Sequence, residues 1–242
     1  MTTSRAQEPT HKELHSGEFA NKLNWLRASV LGSNDGIVSI AALVVGVAAA
    51  SSISSHTLLL TGVAGLLAGS FSMAVGEYVS VSSQRDTEKA LLAKERYELE
   101  HEADMELEEL TVIYENKGLA RATAEQVAKE LTDHDAFAAH VHAELGIDPD
   151  ALTNPWHASF ASAVSYAVGG IVPLIAIVAT GEAIRIMVTF IAVFVALVAT
   201  GIISARVSGA PVMKTIYRVV LGGVLAMGIT YFAGKLFDVV VS

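Results

Sequence analysis

Between Lys94 and Leu110 the chain reads KERYELEHEADMELEEL, seven glutamates and one aspartate in seventeen residues. At about 100° per residue on a helix, Glu95, Glu98, Glu102, Glu106 and Glu109 fall in one narrow stripe, while Glu100 and Glu108 point elsewhere. Aligned like charges repel on a helix. Such a stripe is therefore either a solvated face or a surface that a cation neutralises, and composition alone favours the solvated face. A second pair of donors stands at His140 and Glu144, four residues apart, so that both side chains can reach one metal ion. The same pair is also common on exposed helices; His142 is a nearby competitor, and His101 and His134 read as surface residues. Only two acids lie well inside apolar sequence, Asp35 in GSNDGIVS and Glu77 in SFSMAVGEYVS. An ionisable group at membrane depth is expensive and marks an ion or proton path when it faces a cavity or partner. The plainer readings are a cap for a helix starting at Gly36 and a residue already at the membrane edge. Met73, four residues before Glu77, shares its helix face. A thioether is usually core filling, but beside carboxylates it suits a softer divalent metal better than Ca²⁺ or Mg²⁺.

The elements that must position these side chains are mostly membrane helices. Of 242 residues 52% are hydrophobic, and the mean hydropathy is +0.48, too apolar for an ordinary soluble domain. Five stretches reach the roughly 20 residues that a helix needs to cross a bilayer: 26–50, 57–82, 158–181, 186–205 and 216–238. The second is rich in the small residues that let membrane helices approach closely, and the third holds Gly169, Gly170 and Pro173, where a helix can kink. Between spans two and three, residues 84–116 carry neither Gly nor Pro, which predicts one long helix. A second helix is expected from Thr123, with Glu125 and Gln126 following it as in a cap, to Leu145, ending at Gly146. The expected fold is an all-α membrane protein of five transmembrane helices with a helical cytoplasmic metal-binding domain inserted between spans two and three. Its parts are an N-terminal segment 1–25, spans one and two in 26–83, the acidic domain in 84–156 and spans three to five in 157–242.

Charge placement sets partners and orientation. Residues 85–150 hold 18 acids against 7 bases, whereas the net charge of the whole chain is −9, so the acidity belongs to this one insert. That argues for cations and against nucleic acid as its partners. Without cysteine there is no disulfide, thiolate metal site or cysteine nucleophile. Fourteen of the 16 Lys and Arg residues fall on the side that receives the N-terminus, the insert and the loop with Arg206, Lys214 and Arg218. By the positive-inside rule that side is the cytoplasm and the C-terminus is outside. The polar N-terminus lacks the build of a cleaved signal peptide, which leans towards a bacterial plasma membrane.

The stretches LRASVLGSNDGIVSIAALVVGVAAA and LLAGSFSMAVGEYVSVSSQRDTE, followed by a Glu-rich insert and three more spans, resemble the vacuolar iron transporter family, here as a bacterial-type member. The resemblance covers essentially the whole chain after residue 24. It implies a homodimer that exports cytosolic Fe²⁺ in exchange for protons, without a prosthetic group. It implies a membrane path between protomers through an aspartate of span one and a methionine of span two, matched by Asp35 and Met73. Better-known eukaryotic members carry a glutamate eight residues before that methionine; Gly65 stands there in this chain, and Glu77 is the candidate substitute. The family's soluble domain binds metal through glutamates spaced i, i+3, i+11 and i+14, matched by Glu95, Glu98, Glu106 and Glu109. It adds a Met and a Glu four apart, matched by His140 and Glu144 with His in place of Met. Glu102 lies on the stripe as a helper.

The expectation is therefore a secondary transporter and not an enzyme. Fe²⁺, with Mn²⁺, Co²⁺ or Zn²⁺ as substitutes, is gathered by the insert and passed along Glu77, Met73 and Asp35 against protons. Two rivals are a membrane-tethered iron sink or ferroxidase and a passive channel. Against the ferroxidase, Glu98 and His101 form an E-x-x-H pair, but no second such pair stands on the other helix.

Overall fold

The computed structural model describes residues 16–50 and 53–241. Residues 1–15, most of the expected N-terminal segment 1–25, and Ser51 and Ser52 of the first loop lie outside the described residues. Seven α-helices follow one another: α1 Ser16–Ala48, α2 Ser55–His101, α3 Ala103–Asn116, α4 Arg121–His140, α5 Pro155–Val178, α6 Arg185–Ser208 and α7 Val212–Val241. Among the described residues there is no strand. The chain divides into two compact units, one containing Arg85–Thr153 and the other built from Asn24–Gln84 and Asn154–Ser242.

Five helices of the second unit are long and apolar enough to cross a membrane, in Trp25–Ala48, Ser55–His101, Pro155–Val178, Arg185–Ser208 and Val212–Val240. They answer to the five stretches expected from hydropathy, so the chain is a multi-pass membrane protein. Local signals place their ends. The Ser54 hydroxyl accepts the Thr57 amide at 3.1 Å before α2. The Asn154 side chain accepts the Trp156 amide at 3.0 Å before α5, with Pro155 at the first helical position. Gly209, at φ +67°, ends α6 in the left-handed region that a residue with a Cβ avoids.

Helix α1 is the hub of this unit. Its Ile37, Ala41 and Val45 pack with Val193 and Leu197 of α6 and Met227 of α7, while Ile40 and Val44 pack with Leu58 of α2 and Tyr166, Leu174 and Ile177 of α5. Two buried faces on one helix require apolar side chains at i, i+3 and i+4 around most of its circumference. Helix α1 approaches α5 and α7 backbone to backbone: a Cβ on Gly36 would collide with the Tyr166 carbonyl, one on Gly169 with the Ser33 carbonyl, and one on Gly234 with the Gly46 carbonyl. Small residues permit close approach in α1, α5 and α7 and at Gly62 and Gly69 of α2, whereas a second stripe in α2 (Ala64, Ala68, Ser72, Gly76, Ser80) is exposed within the chain.

The insert departs from its expected helices in three places. The single helix over 84–116 is interrupted at Glu102, whose φ −131° and ψ 32° leave the helical basin, so α2 stops at His101 and α3 begins at Ala103. The break loses little hydrogen bonding, because Glu102 N still donates to Glu98 O at 2.7 Å and Glu102 O accepts from Glu106 N at 3.1 Å. It ends the run of aligned carboxylates that a straight helix would keep in repulsion. Helix α4 starts at Arg121 after Ala120, without a side-chain cap, so the expected cap at Thr123 does not form. Finally, α4 kinks at Asp135 (φ −160°, ψ 93°), whose carboxylate accepts the Ala138 amide at 2.9 Å and caps a new start. The helix then widens into a π turn over Val141–Leu145 and ends, as expected, at Gly146 (φ +61°).

Candidate metal centre

The interruptions in the insert bring donors from three helical segments to one place. Glu95 near the end of α2, Glu106 in α3, His140 at the end of α4 and Glu144 in the π turn each offer one ligand atom, all within 4.8 Å of one another. The Asp135 cap and the π turn set the phase of the last two, and π turns of this kind recur at functional sites. Glu95 is 2% exposed, Glu106 5% and His140 0%, which sets them apart from an ordinary solvated acidic face. Only Glu144 reaches solvent.

The electrostatics are those of a site that needs a cation. Burial, then the neighbouring Glu144 and Glu106 charges, push the Glu95 carboxyl up to about 7. With its pKa near neutrality Glu95 holds a proton part of the time at pH 7. Glu106 is also raised, by burial and then by Glu109 and Glu98. Glu144 shifts the same way through loss of hydration and the charge of Glu109. Burial pushes His140 below the usual histidine range, against the pull of Glu109, so the imidazole is neutral and its lone pair is available. His140 Nδ1 lies 3.2 Å from Glu95 Oε1 and 3.4 Å from Glu106 Oε2. Those contacts lack hydrogen-bond geometry, and both ring nitrogens and Glu95 Oε1 are buried without a hydrogen-bond partner among the described residues.

A buried polar atom left unpaired costs about 1–3 kcal/mol, and a divalent ion would satisfy Glu95 Oε1 and one of the two ring nitrogens of His140 at once. Donors about 2.1 Å from an ion stand no more than about 4.2 Å apart, so the more widely spaced donors of the cluster must draw inward to close on a metal. Three carboxylate oxygens and one imidazole, with no thiolate, suit Fe²⁺, Mn²⁺, Co²⁺ or Zn²⁺.

The other stripe residues are placed differently. Glu98 is half-buried and pairs with Lys94 at 2.6 Å. Glu109 is exposed and adds charge from outside the four-donor group. Glu102 is exposed at the helix break, and Glu108 joins Glu115 and Glu125 around Arg121 at 2.5, 3.1 and 2.7 Å.

In the spanning unit, Asp35 is exposed on α1, Met73 packs half-buried beside the Tyr166 cluster, and Glu77 is half-buried on α2. Among the described residues no group of three or more His, Asp and Glu donors forms around them. At Gly65 a Cβ would collide with the end of the Leu43 side chain, so a larger residue there needs Leu43 to move. Two features had no signal in the sequence. The Tyr166 hydroxyl meets Ser39 Oγ at 2.8 Å, one turn beyond Asp35, and Ser39 donates to the Asp35 carbonyl. Arg185 is buried and donates to the Ile53 carbonyl at 3.2 Å.

Five helices long and apolar enough to cross a membrane, in a chain that also holds a buried cluster of carboxylates and imidazole, define a class: multi-pass membrane proteins that handle cations. The profile of the VIT family matches residues 26–235, and the chain belongs to that family, whose members are transporters and not enzymes. A protein of Acanthamoeba castellanii named vacuolar iron transporter is 40% identical to it, over 88% of this chain and 79% of the relative. Vacuolar iron transporter homolog 5 of Oryza sativa subsp. japonica is 36% identical, over 91% and 84%. VIT-like transporter 1b of Glycine max is 31% identical, over 94% and 82%.

Proposed function

We propose that this chain exports cytosolic Fe²⁺ in exchange for protons, with Mn²⁺, Co²⁺ and Zn²⁺ as alternative cargo. The observation that carries the reading is the buried group of Glu95, Glu106, His140 and Glu144 in the soluble insert. The relatives named as iron transporters support the choice of metal. In this reading residues 84–156 form a cytoplasmic metal-binding domain, 1–25 a cytoplasmic segment, and 26–83 and 157–242 the spans, with the C-terminus outside a bacterial plasma membrane. The four donors hold the ion. Glu98, Glu102 and Glu109 raise the local cation concentration around it, since a field of one sign concentrates counter-ions. Within the membrane the ion passes Glu77, Met73 and Asp35, and protons moving inward occupy the same carboxylates in exchange.

The working unit is a homodimer with the path between protomers. The exposed stripe of Ala64, Ala68, Ser72, Gly76 and Ser80 on α2 supports this, because small residues repeating every four positions let two membrane helices pack closely. The test is proteoliposome transport of a panel of divalent metals with and without an imposed pH gradient. Fe²⁺ flux should follow the gradient. Flux indifferent to pH would favour a channel, and oxidation of Fe²⁺ in air by the purified protein without any gradient would favour a ferroxidase.

A further inference from the structure

Helices α6 and α7 are joined by a tight turn at Gly209, Ala210 and Pro211, so the end of α6 and the start of α7 lie at the same end of the spanning unit. From that end a groove of about 310 Å³ runs between them, lined by Phe194 of α6 and by Met213, Ile216, Tyr217, Val220, Leu221 and Val224 of α7. The α7 residues repeat at i, i+3, i+4, i+7, i+8 and i+11, one continuous helix face. From Met213 to Val224 this face extends about 16 Å at 1.5 Å per residue, a depth that takes much of a fatty acyl chain. The lining offers nothing polar beyond the Tyr217 phenol, a residue type enriched where membrane meets water.

The end of the two helices next to the turn is cationic. Arg206 is in the last turn of α6, Lys214 and Arg218 are in the first two turns of α7, and all three are exposed. No Asp or Glu occurs anywhere in residues 183–237, and among the described residues none of the three cations is in an ion pair. Basic pockets between membrane helices bind anionic head groups, and long basic side chains reach the interface while their stems cover apolar surface. We propose that this groove is a binding site for an anionic glycerophospholipid, one acyl chain lying along α7 and its phosphate held by Arg206, Lys214 and Arg218. The absence of acids favours the anionic over the zwitterionic head group, which needs a partner for its cationic end. The site is independent of the ion that the chain carries.

The test uses the purified full chain in detergent, titrated with phosphatidylglycerol or phosphatidylcholine and read by native mass spectrometry. Phosphatidylglycerol should be retained at least tenfold more strongly than phosphatidylcholine. Replacing Arg206, Lys214 and Arg218 together by Gln should abolish that preference, about fivefold per charge (~1 kcal/mol each). The Arg206→Lys/Arg218→Lys variant should keep it. Val224→Phe, which fills the groove, should weaken both lipids alike. Should the triple variant fail to fold, Lys214→Gln alone reads the one-charge effect. An unchanged preference in the Gln variants would overturn the site. So would displacement of the lipid by equimolar glycerol phosphate, which would mark a free-phosphate site, or crosslinks from the groove to a second copy with no lipid retained.

Discussion

Glu95, Glu106 and His140 of the insert are buried side by side, with Glu144 closing the group at the surface. Asp35 of the spanning unit is exposed on its helix, and Met73 and Glu77 stand on α2, a helix whose apolar window is only 11% buried within the chain. The first site is complete in one polypeptide because two helix breaks and a π turn aim its donors inward. The second leaves Asp35 exposed and Met73 and Glu77 only half-buried, which fits the proposal that a second copy supplies the other wall. The contrast is also one of dielectric. The insert site holds its excess charge by keeping a proton on Glu95, whereas an acid facing lipid has no such neighbour and needs a partner to persist.

The sharpest break of this comparison is Asp35→Ala. If the membrane path needs this carboxylate, proteoliposome transport should fall at least a hundredfold while the protein stays folded. Full proton-coupled transport by that variant would remove Asp35 from the path. Next in size is His140. His140→Ala should weaken Fe²⁺ or Zn²⁺ binding in detergent by ten- to a hundredfold, at least the effect of losing a group that only orients a metal ligand. His140→Met should retain most of the binding, and equal loss in both variants would point to packing and not ligation.

The pH response comes third. Metal must displace the proton that Glu95 keeps up to about pH 7, so affinity should fall as pH drops from 8 to 6, by up to tenfold per unit for one proton. The metal-free fold should show the opposite sign. A carboxyl raised from 4.5 to about 7 binds protons more tightly when folded than when unfolded. It therefore favours folding below pH 7, with the effect complete by about pH 4.5, and is a cost above pH 7. A melting temperature that rises on acidification across this window in the wild type, but less in Glu95→Gln, would bear this out; identical pH profiles would refute it. Smallest should be the effects of Glu98→Gln, Glu102→Gln and Glu109→Gln, each under about threefold in metal affinity, because water screens exposed charges. A loss at Glu98 or Glu109 as large as that at Glu95 or Glu106 would return ligand status to the whole stripe.

Hydropathy and composition alone set the five spans, since a bilayer imposes a length of about 20 apolar residues on any sequence that crosses it. The end of the insert's second helix at Gly146 was equally legible, because a left-handed cap selects glycine locally. The acidity of the insert and the closeness of His140 and Glu144 were legible too. The partition of the stripe was not. A helical wheel puts Glu95, Glu98, Glu102, Glu106 and Glu109 on one face, and nothing between 84 and 116 announces a break. The interruption at Glu102 and the kink at Asp135 separate the buried Glu95 and Glu106 from the exposed Glu102 and Glu109. Tertiary contact made that choice, since burying a carboxylate is tolerable only where a neighbour shares its proton or a cation takes its place. Likewise the sequence supplied small residues to several spans. Only packing decided that Gly36 and Gly169 would join α1 to α5 and leave the α2 stripe facing outward, because close approach belongs to pairs of helices and cannot be read from either one alone.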